Sequence, residues 1–235
     1  MFFPFFFDYT WLILIPGIIV AAWAQYQVSS AYKTYSRVPT RNGLTGAEAA
    51  RQLLNINGLG NVAIEGISGE LTDHYDPRSK KMRLSGGVGG STSIAAVGVA
   101  AHETGHAIQD KEGYWPLRFR NAIVPVCNVA SSAAWPLFFI GLIFGGGRGS
   151  FGVMLMNLGI VLFCISLVFY IITLPVEFDA SRRAVKALID YNLIAPGEEV
   201  GVKKVLRAAA LTYVASALMA ILNLLRLLVL RGDRD

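Results

Sequence analysis

Four stretches of the chain carry no Asp, Glu, Lys or Arg: residues 9–32, 121–147, 149–176 and 208–225. Each is rich in Leu, Ile, Phe, Val and Ala, and about 20 such residues in a helix suffice to cross the hydrocarbon of a bilayer. Backbone groups in lipid must pair within their own segment, so runs of this kind are read as helices. The pattern predicts a mainly α, polytopic membrane protein with transmembrane helices over 9–32, 121–147, 149–175 and 208–230. Between them lie a polar region, 33–120, and a shorter polar helical segment, 176–207. A secretory signal is the competing reading of the first run. A signal wants a basic n-region, however, and the first basic residue here is Lys33, which favours a retained span. Phe2, Phe3, Phe5, Phe6 and Phe7 form an aromatic cluster suited to an interface or to extending the first helix.

Within the polar region, Thr45 to Leu54 opens like a helix, with Thr45 as N-cap and Glu48 completing a capping box; it is expected to end near Asn57-Gly58. Val62–Ile67 and Lys81–Leu84 read as strands, and the turn formers from Asp73 to Arg78 between them predict a β-hairpin. Gly86, Gly87, Gly89 and Gly90 predict a flexible loop. Ser91-Thr-Ser93 then caps a helix over Ile94–Asp110. The stretch Leu84–Ala101 is uncharged, but Gly, Ala and Ser dominate it, which points to a tightly packed helix and not to a lipid-facing one.

Composition agrees with the membrane reading: 54% of residues are hydrophobic and 16% charged, too apolar for an ordinary soluble domain of this length. Cys127 and Cys164 both fall inside expected spans, so they make neither a disulfide framework nor a thiolate metal site. The net charge of +5 lacks the clustered basic stripe of a nucleic-acid-binding protein, and no nucleic-acid partner is expected. Topology accounts for it better. Of 21 Lys and Arg, 11 lie between residues 25 and 120 and 6 between 176 and 207. The positive-inside tendency places both segments in the cytoplasm and the N-terminus outside, with an outside turn around Gly145–Ser150. Arg231 and Arg234, beside Asp233 and Asp235 in the tail, run mildly against this. Arg226, near the end of the last run, is expected to snorkel toward the interface.

Chemistry enters with His102-Glu-Thr-Gly-His106, an H-E-x-x-H sequence. On a helix the two imidazoles share one face at a spacing that lets both bind one zinc ion, with Glu103 beside the open metal position. Zinc makes a bound water acidic, and a glutamate within reach takes its proton and delivers it to the leaving amine. The competing reading is a chance match. Two of the chain's 3 histidines stand in the motif, and Ala100, Ala101, Gly105 and Ala107 leave room for close packing around a metal.

A catalytic zinc site usually has three protein ligands. No histidine follows the motif, so the third must be a carboxylate, and Glu177, directly after the third apolar run, is the best candidate. Two expected crossings separate His106 from Glu177, which returns the chain to the same membrane face. Glu177, Ser181, Ala184 and Leu188 share a helical face, so Ser181 could orient a ligand. Asp179 is the competing ligand but points elsewhere. Glu177 also has a plain reading as a helix N-terminal carboxylate favoured by the macrodipole. His74 is a candidate fourth metal contact or transition-state donor, and equally a turn residue. Were Lys81–Leu84 an exposed edge, an extended substrate could pair with it.

Several segments together resemble the YugP-type neutral zinc metallopeptidases of bacterial membranes. They are Leu71-Thr-Asp-His-Tyr-Asp-Pro-Arg78, Met82-Arg-Leu-Ser85, Ala95 through Gln109 around the motif, Pro175-Val-Glu-Phe-Asp-Ala-Ser-Arg-Arg-Ala184 and Ala208-Ala-Ala-Leu-Thr-Tyr-Val214. The resemblance implies a zincin-like domain in a multi-pass cell-membrane protein, related at the site to HtpX and the CAAX prenyl proteases. In those relatives an aspartate follows the third ligand by four residues, where this chain has Ser181. The expected function is peptide-bond hydrolysis by a Zn2+-dependent endopeptidase at the cytoplasmic membrane face. Its ligands are His102, His106 and Glu177, its base Glu103, and its substrates membrane-proximal proteins or peptides. Two alternatives stand beside it. A non-catalytic zinc-binding membrane scaffold would have no need of Glu103 as a base. An intramembrane metalloprotease would need the motif inside an apolar span, whereas Gln109-Asp-Lys-Glu112 follows at once.

Overall fold

A computed structural model describes residues 9–144 and 151–232. The described chain begins with a 3-10 helix, Tyr9–Leu14, leading into α1 (Ile15–Tyr35). The order is then α2 (Gly46–Ile56), β1 (Ala63–Ile67), β2 (His74–Asp76), β3 (Lys81–Ser85), α3 (Gly86–Gly89), α4 (Ile94–Lys111), α5 (Trp115–Phe144), α6 (Phe151–Asp190) and α7 (Glu199–Gly232). Four of these helices are long and apolar enough to cross a membrane. The chain divides into two compact units. One holds Met1–Trp23, Phe119–Leu174 and Thr212–Asp235; the other holds Ala24–Arg118 and Pro175–Leu211. The expected outside turn at 145–150, the Phe2–Phe7 cluster and the tail charges from Asp233 onward lie outside the described residues.

The first unit is built from the apolar runs. Phe138, Met156 and Leu227 are fully buried at its centre, with Ala134 and Phe163 around them. Gly159 stands where a Cβ would lie 2.7 Å from the Ala134 carbonyl oxygen, so a glycine is what lets the two backbones approach here. Arg226, expected at the interface, is instead 5% exposed inside this unit; its Nε donates to Thr10 Oγ1 at 3.0 Å and its guanidinium lies over the Trp11 ring. An aromatic face and a hydroxyl together make burial of this cation tolerable in an apolar bundle.

The second unit carries the polar chemistry. Its α2 begins with the expected capping box, Thr45 accepting from the Glu48 N–H and the Glu48 carboxylate accepting from that of Thr45. It ends at Asn57, followed by Gly58 at φ +65°. α2 packs on α4 through Ala49, Ala50, Leu53 and Leu54, all fully buried. Ser93 caps α4 by accepting from Ala96 N–H at 3.2 Å. The glycine run expected as a flexible loop forms α3, a single turn of helix.

The sheet corrects the sequence reading. Its order is β1-β3-β2, with β1 parallel to β3 in the register Ala63↔Lys81 to Ile67↔Ser85, and β2 antiparallel to β3. The two strands expected as a hairpin therefore run parallel. The hairpin is formed by β2 and β3 across Pro77–Lys80, where the Asp76 carboxylate accepts from Arg78 N–H and Ser79 Oγ and Lys80 adopts φ +53°. Turn formers inside His74–Asp76 concealed a three-residue strand whose pairing is fixed at its far end, where Asp73 Oδ1 accepts from Ser85 N–H at 2.7 Å. Lys81–Leu84 is thus the central strand, and both its edges are taken.

A second correction concerns Pro175. The span to 175 and the helical segment expected from 176 are one helix, since α6 continues through Pro175 to Asp190, and Glu177 is therefore not at a helix N-terminus. Proline removes one intrahelical donor, a local penalty that the packing of Val176, Ala180, Ala184 and Leu188, all buried, outweighs.

Candidate metal centre

α4 presents His102 and His106 one turn apart, and their rings meet edge to face with centroids 4.7 Å apart. α6 brings Glu177 against them: its Oε2 lies 3.2 Å from His102 Nε2 and 3.6 Å from His106 Nε2. One ligand atom from each of the three residues falls within 4.8 Å of the others. Ligand bonds of about 2.0–2.2 Å in a tetrahedron put neighbouring ligand atoms about 3.4 Å apart, so the two measured separations already suit a zinc ion. Among the described residues this is the group of His, Cys, Asp and Glu side chains placed to hold a metal.

Close approach of the helices depends on Gly105. A Cβ there would stand 2.5 Å from the Ala180 carbonyl oxygen, so α4 meets the α6 backbone at this point, one turn from Glu177. One turn further along the same contact, Ala101 and Ala184 are buried in a shared apolar cluster. Small residues around the motif, visible in the sequence, serve this helix-to-helix approach.

The other ring nitrogens have partners of their own. His102 Nδ1 lies 3.1 Å from Ser181 Oγ, and His106 Nδ1 lies 3.0 Å from Gln109 Oε1. The Gln109 amide is oriented without ambiguity. Its Nε2 donates to Val176 O and to Asp179 Oδ2, each at 2.9 Å, and both of these can only accept. The oxygen must therefore face His106, which fixes a proton on Nδ1 and leaves Nε2, on the Glu177 side, as the nitrogen that would bind a metal. Ser181 takes the position expected of an orienting group and can accept from His102 Nδ1–H. Asp179 is not among the candidate ligands: its carboxylate is held by Gln109, Arg182 and Arg183. His74 also stands apart from them, with Nδ1 2.9 Å from Thr72 O and Nε2 3.2 Å from an Arg83 guanidinium nitrogen.

Glu103 is 7% exposed, and its Oε2 accepts from the Tyr75 N–H at 2.9 Å. That donor belongs to β2 and points away from β3, so the outer edge of the sheet faces Glu103. Burial raises the Glu103 carboxyl above its ordinary value; nearby His102 opposes the rise. Tyr75 is tied in turn to α4 by its hydroxyl, which donates to Asp110 Oδ2 at 2.7 Å. Two contributors escaped the sequence reading: Gln109 and the Tyr75 backbone. Gln109 had a signal, since it lies three residues after His106 on the same helical face. A backbone donor on a strand hidden among turn residues had none.

Residues 10–232 match the family described as "Putative neutral zinc metallopeptidase". Over 224 residues the chain is 46% identical to "Putative membrane protease YugP" of Bacillus subtilis (strain 168), covering 95% of this chain and 97% of the relative. No solved structure matches. A relative so named, together with four helices of membrane-crossing length, makes this a multi-pass membrane protein. Zn2+ is the cofactor that the family implies and that the His-His-Glu cluster suits. The chain belongs to the neutral zinc metallopeptidase family.

Proposed function

We propose that this protein is a zinc-dependent endopeptidase acting at the cytoplasmic face of the membrane. His102, His106 and Glu177 would hold the ion, and Glu103 serves as general base. The observation that carries this reading is the convergence of the three ligand atoms within 4.8 Å, two of them from the helix that also presents a buried glutamate. Zinc in that position supplies Lewis acidity, lowering the pKa of water and polarising a peptide carbonyl. The chain's own groups do the rest. Glu103 removes a proton from the attacking water and returns it to the leaving amine nitrogen, completing hydrolysis without a covalent enzyme intermediate. Its raised carboxyl pKa suits both halves of that exchange, because such a group takes up and releases a proton nearer neutrality. Gln109 and Ser181 hold the imidazoles in register.

The outer edge of β2 replaces Lys81–Leu84 as the place where an extended substrate would pair. Its outward Tyr75 N–H donates to Glu103, so a backbone paired there would displace that bond and lie against the base. The cytoplasmic assignment rests on the basic residues concentrated in 25–120 and 176–207. The site residues all belong to the unit that contains the sheet, which favours membrane-proximal segments over intramembrane ones as substrates.

The test is zinc content and cleavage of an unfolded protein by detergent-purified chain, comparing the native protein with Glu103→Gln and Glu177→Ala. Cleavage should vanish in both, with zinc kept in the first and weakened in the second. Undiminished zinc and cleavage in Glu177→Ala would remove it from the ligand set. A native protein that holds zinc and cleaves nothing would favour a scaffold.

A further inference from the structure

A groove of about 470 Å3 opens beside the metal centre, between the α6 segment from Phe178 to Asp190 and the α7 segment from Lys203 to Ala210. Its walls are of two kinds. Phe178, Val185, Ile189 and Leu206 give an apolar wall, and Phe178 and Ile189 remain 49% and 45% exposed. Arg182, Lys186, Lys203 and Arg207 give a cationic one, against a single acidic residue, Asp190. Arg182 is engaged by Asp179, and Lys186 by Asp190. Among the described residues no carboxylate or other partner is bonded to the side chain of Lys203 or Arg207. Ser181, whose hydroxyl contacts His102, also lines the groove.

We propose that this groove binds one anionic phospholipid of the adjoining leaflet, with its phosphate between Lys203 and Arg207 and an acyl chain along Phe178 and Leu206. Three observations converge on that ligand. The excess of positive charge calls for an anion, and the geometry of Arg and Lys suits phosphate oxygens. The exposed apolar wall calls for a hydrocarbon, which a free phosphate lacks. The sequence then puts both where lipid headgroups are. The charge-free run that enters α6 ends at Val176, two residues before Phe178, and that of α7 begins at Ala208, one residue after Arg207. The headgroup layer on one side of a bilayer is about 5–8 Å deep, or about three to five helical residues. Phe178, Arg182, Lys203 and Arg207 fall within or just beyond that depth.

The test uses the full chain in detergent with equimolar phosphatidylglycerol and phosphatidylcholine, reading bound lipid by native mass spectrometry. The native protein should retain one phosphatidylglycerol in preference to phosphatidylcholine. Each basic side chain near an anionic lipid is worth about fivefold in binding, so Lys203→Gln with Arg207→Gln should weaken phosphatidylglycerol about thirtyfold. Phosphatidylcholine retention should stay unchanged. Exchange of the same pair, Lys203→Arg with Arg207→Lys, should keep the preference, which guards against a folding defect. Arg41→Gln with Arg78→Gln removes equal charge from exposed positions elsewhere in the unit and should change affinity less than twofold. Equal retention of the two lipids by the native protein would overturn the proposal, as would an equal loss in the Arg41/Arg78 variant. Glycerol phosphate, which carries the anion without chains, should bind at least tenfold more weakly; equal binding would overturn the acyl half of the site.

Discussion

Substitution of Gly105 by alanine isolates the approach of α4 to α6 from the chemistry of the ligands themselves. The added Cβ would stand 2.5 Å from the Ala180 carbonyl oxygen and 3.1 Å from the Ala180 Cα. A comfortable carbon–oxygen contact is about 3.3 Å or more, so the backbones must separate by about 0.8 Å. Neither neighbour is the end of a flexible side chain, so rotamer changes offer no relief. Two opposing terms set the sign. Alanine in place of glycine favours a helix by about 1 kcal/mol, whereas overpacking a tight interior contact costs about 1–3 kcal/mol. The expected net change in stability is small or unfavourable. The effect on the centre is larger, because Glu177 lies three residues from Ala180 and zinc ligands tolerate deviations of only about 0.2 Å. Displacement of one ligand by most of an ångström should lower activity, and zinc affinity with it, by about 100-fold. Zinc retention against a graded chelator series, read with thermal unfolding of the same preparation, measures both. An alanine variant that is more stable and holds zinc within twofold of the native protein would refute the claim that this backbone contact sets the ligand spacing.

Gln109→Leu keeps the side-chain volume but strands the buried His106 N–H, at a cost of about 1–3 kcal/mol. Zinc affinity should fall about 10- to 100-fold, as it does when an orienting partner is lost, and metal titration checks this. Ser181→Ala removes the weaker hydroxyl partner of His102 and should cost zinc affinity less than Gln109→Leu does; the reverse order would show that Ser181 dominates the orientation. In metal-free protein, burial raises the Glu103 carboxyl, so the folded state holds this proton more tightly than the unfolded one. Its contribution to stability is then complete below the ordinary glutamate value and lost as pH rises through the raised one. Glu103→Gln should consequently gain in melting temperature over the native protein as pH rises, and a gap independent of pH would contradict the burial argument. Thr45→Ala should lower stability by about 1 kcal/mol through loss of the α2 cap, with zinc binding unchanged, as measured by denaturant unfolding.

Much of this architecture was legible because its signals are local or add up along the chain. Length and absence of charge locate the four apolar helices without knowledge of their partners. The capping box of α2 is written in Thr45 and Glu48 alone. His102 and His106 need only helical periodicity, and Glu177 stood out as the carboxylate directly after the third apolar run, with the number of expected crossings as a check. The sheet order was not legible, since pairing between β1 and β3 is decided by contacts across the chain and the intervening β2 looks like a turn. Continuity of α6 through Pro175 was hidden for a related reason: the proline penalty is local, while the burial that outweighs it involves residues on other elements.

Asp179 shows how a residue can shape the candidate metal centre without being one of its ligands. The sequence posed it as a rival to Glu177, because a carboxylate two positions away has the right chemistry. Two residues along a helix turn a side chain by about 200°, however, and cannot face the same point. Its charge is neutralised by Arg182 and Arg183, while one oxygen accepts from Gln109 Nε2. That bond, with the one to Val176 O, forces the amide oxygen toward His106 and so determines which imidazole nitrogen carries the proton. The partner that touches His106 is a neutral amide, and the one that touches His102 is a neutral hydroxyl. Neutral acceptors fix orientation and tautomer but raise imidazole basicity less than a carboxylate does. With Glu177 as the one anionic candidate ligand, more of a divalent cation's charge would remain to act on water and on a substrate carbonyl. The same chain residues that orient the candidate ligands would thereby also set how strongly a bound ion polarises water and carbonyl.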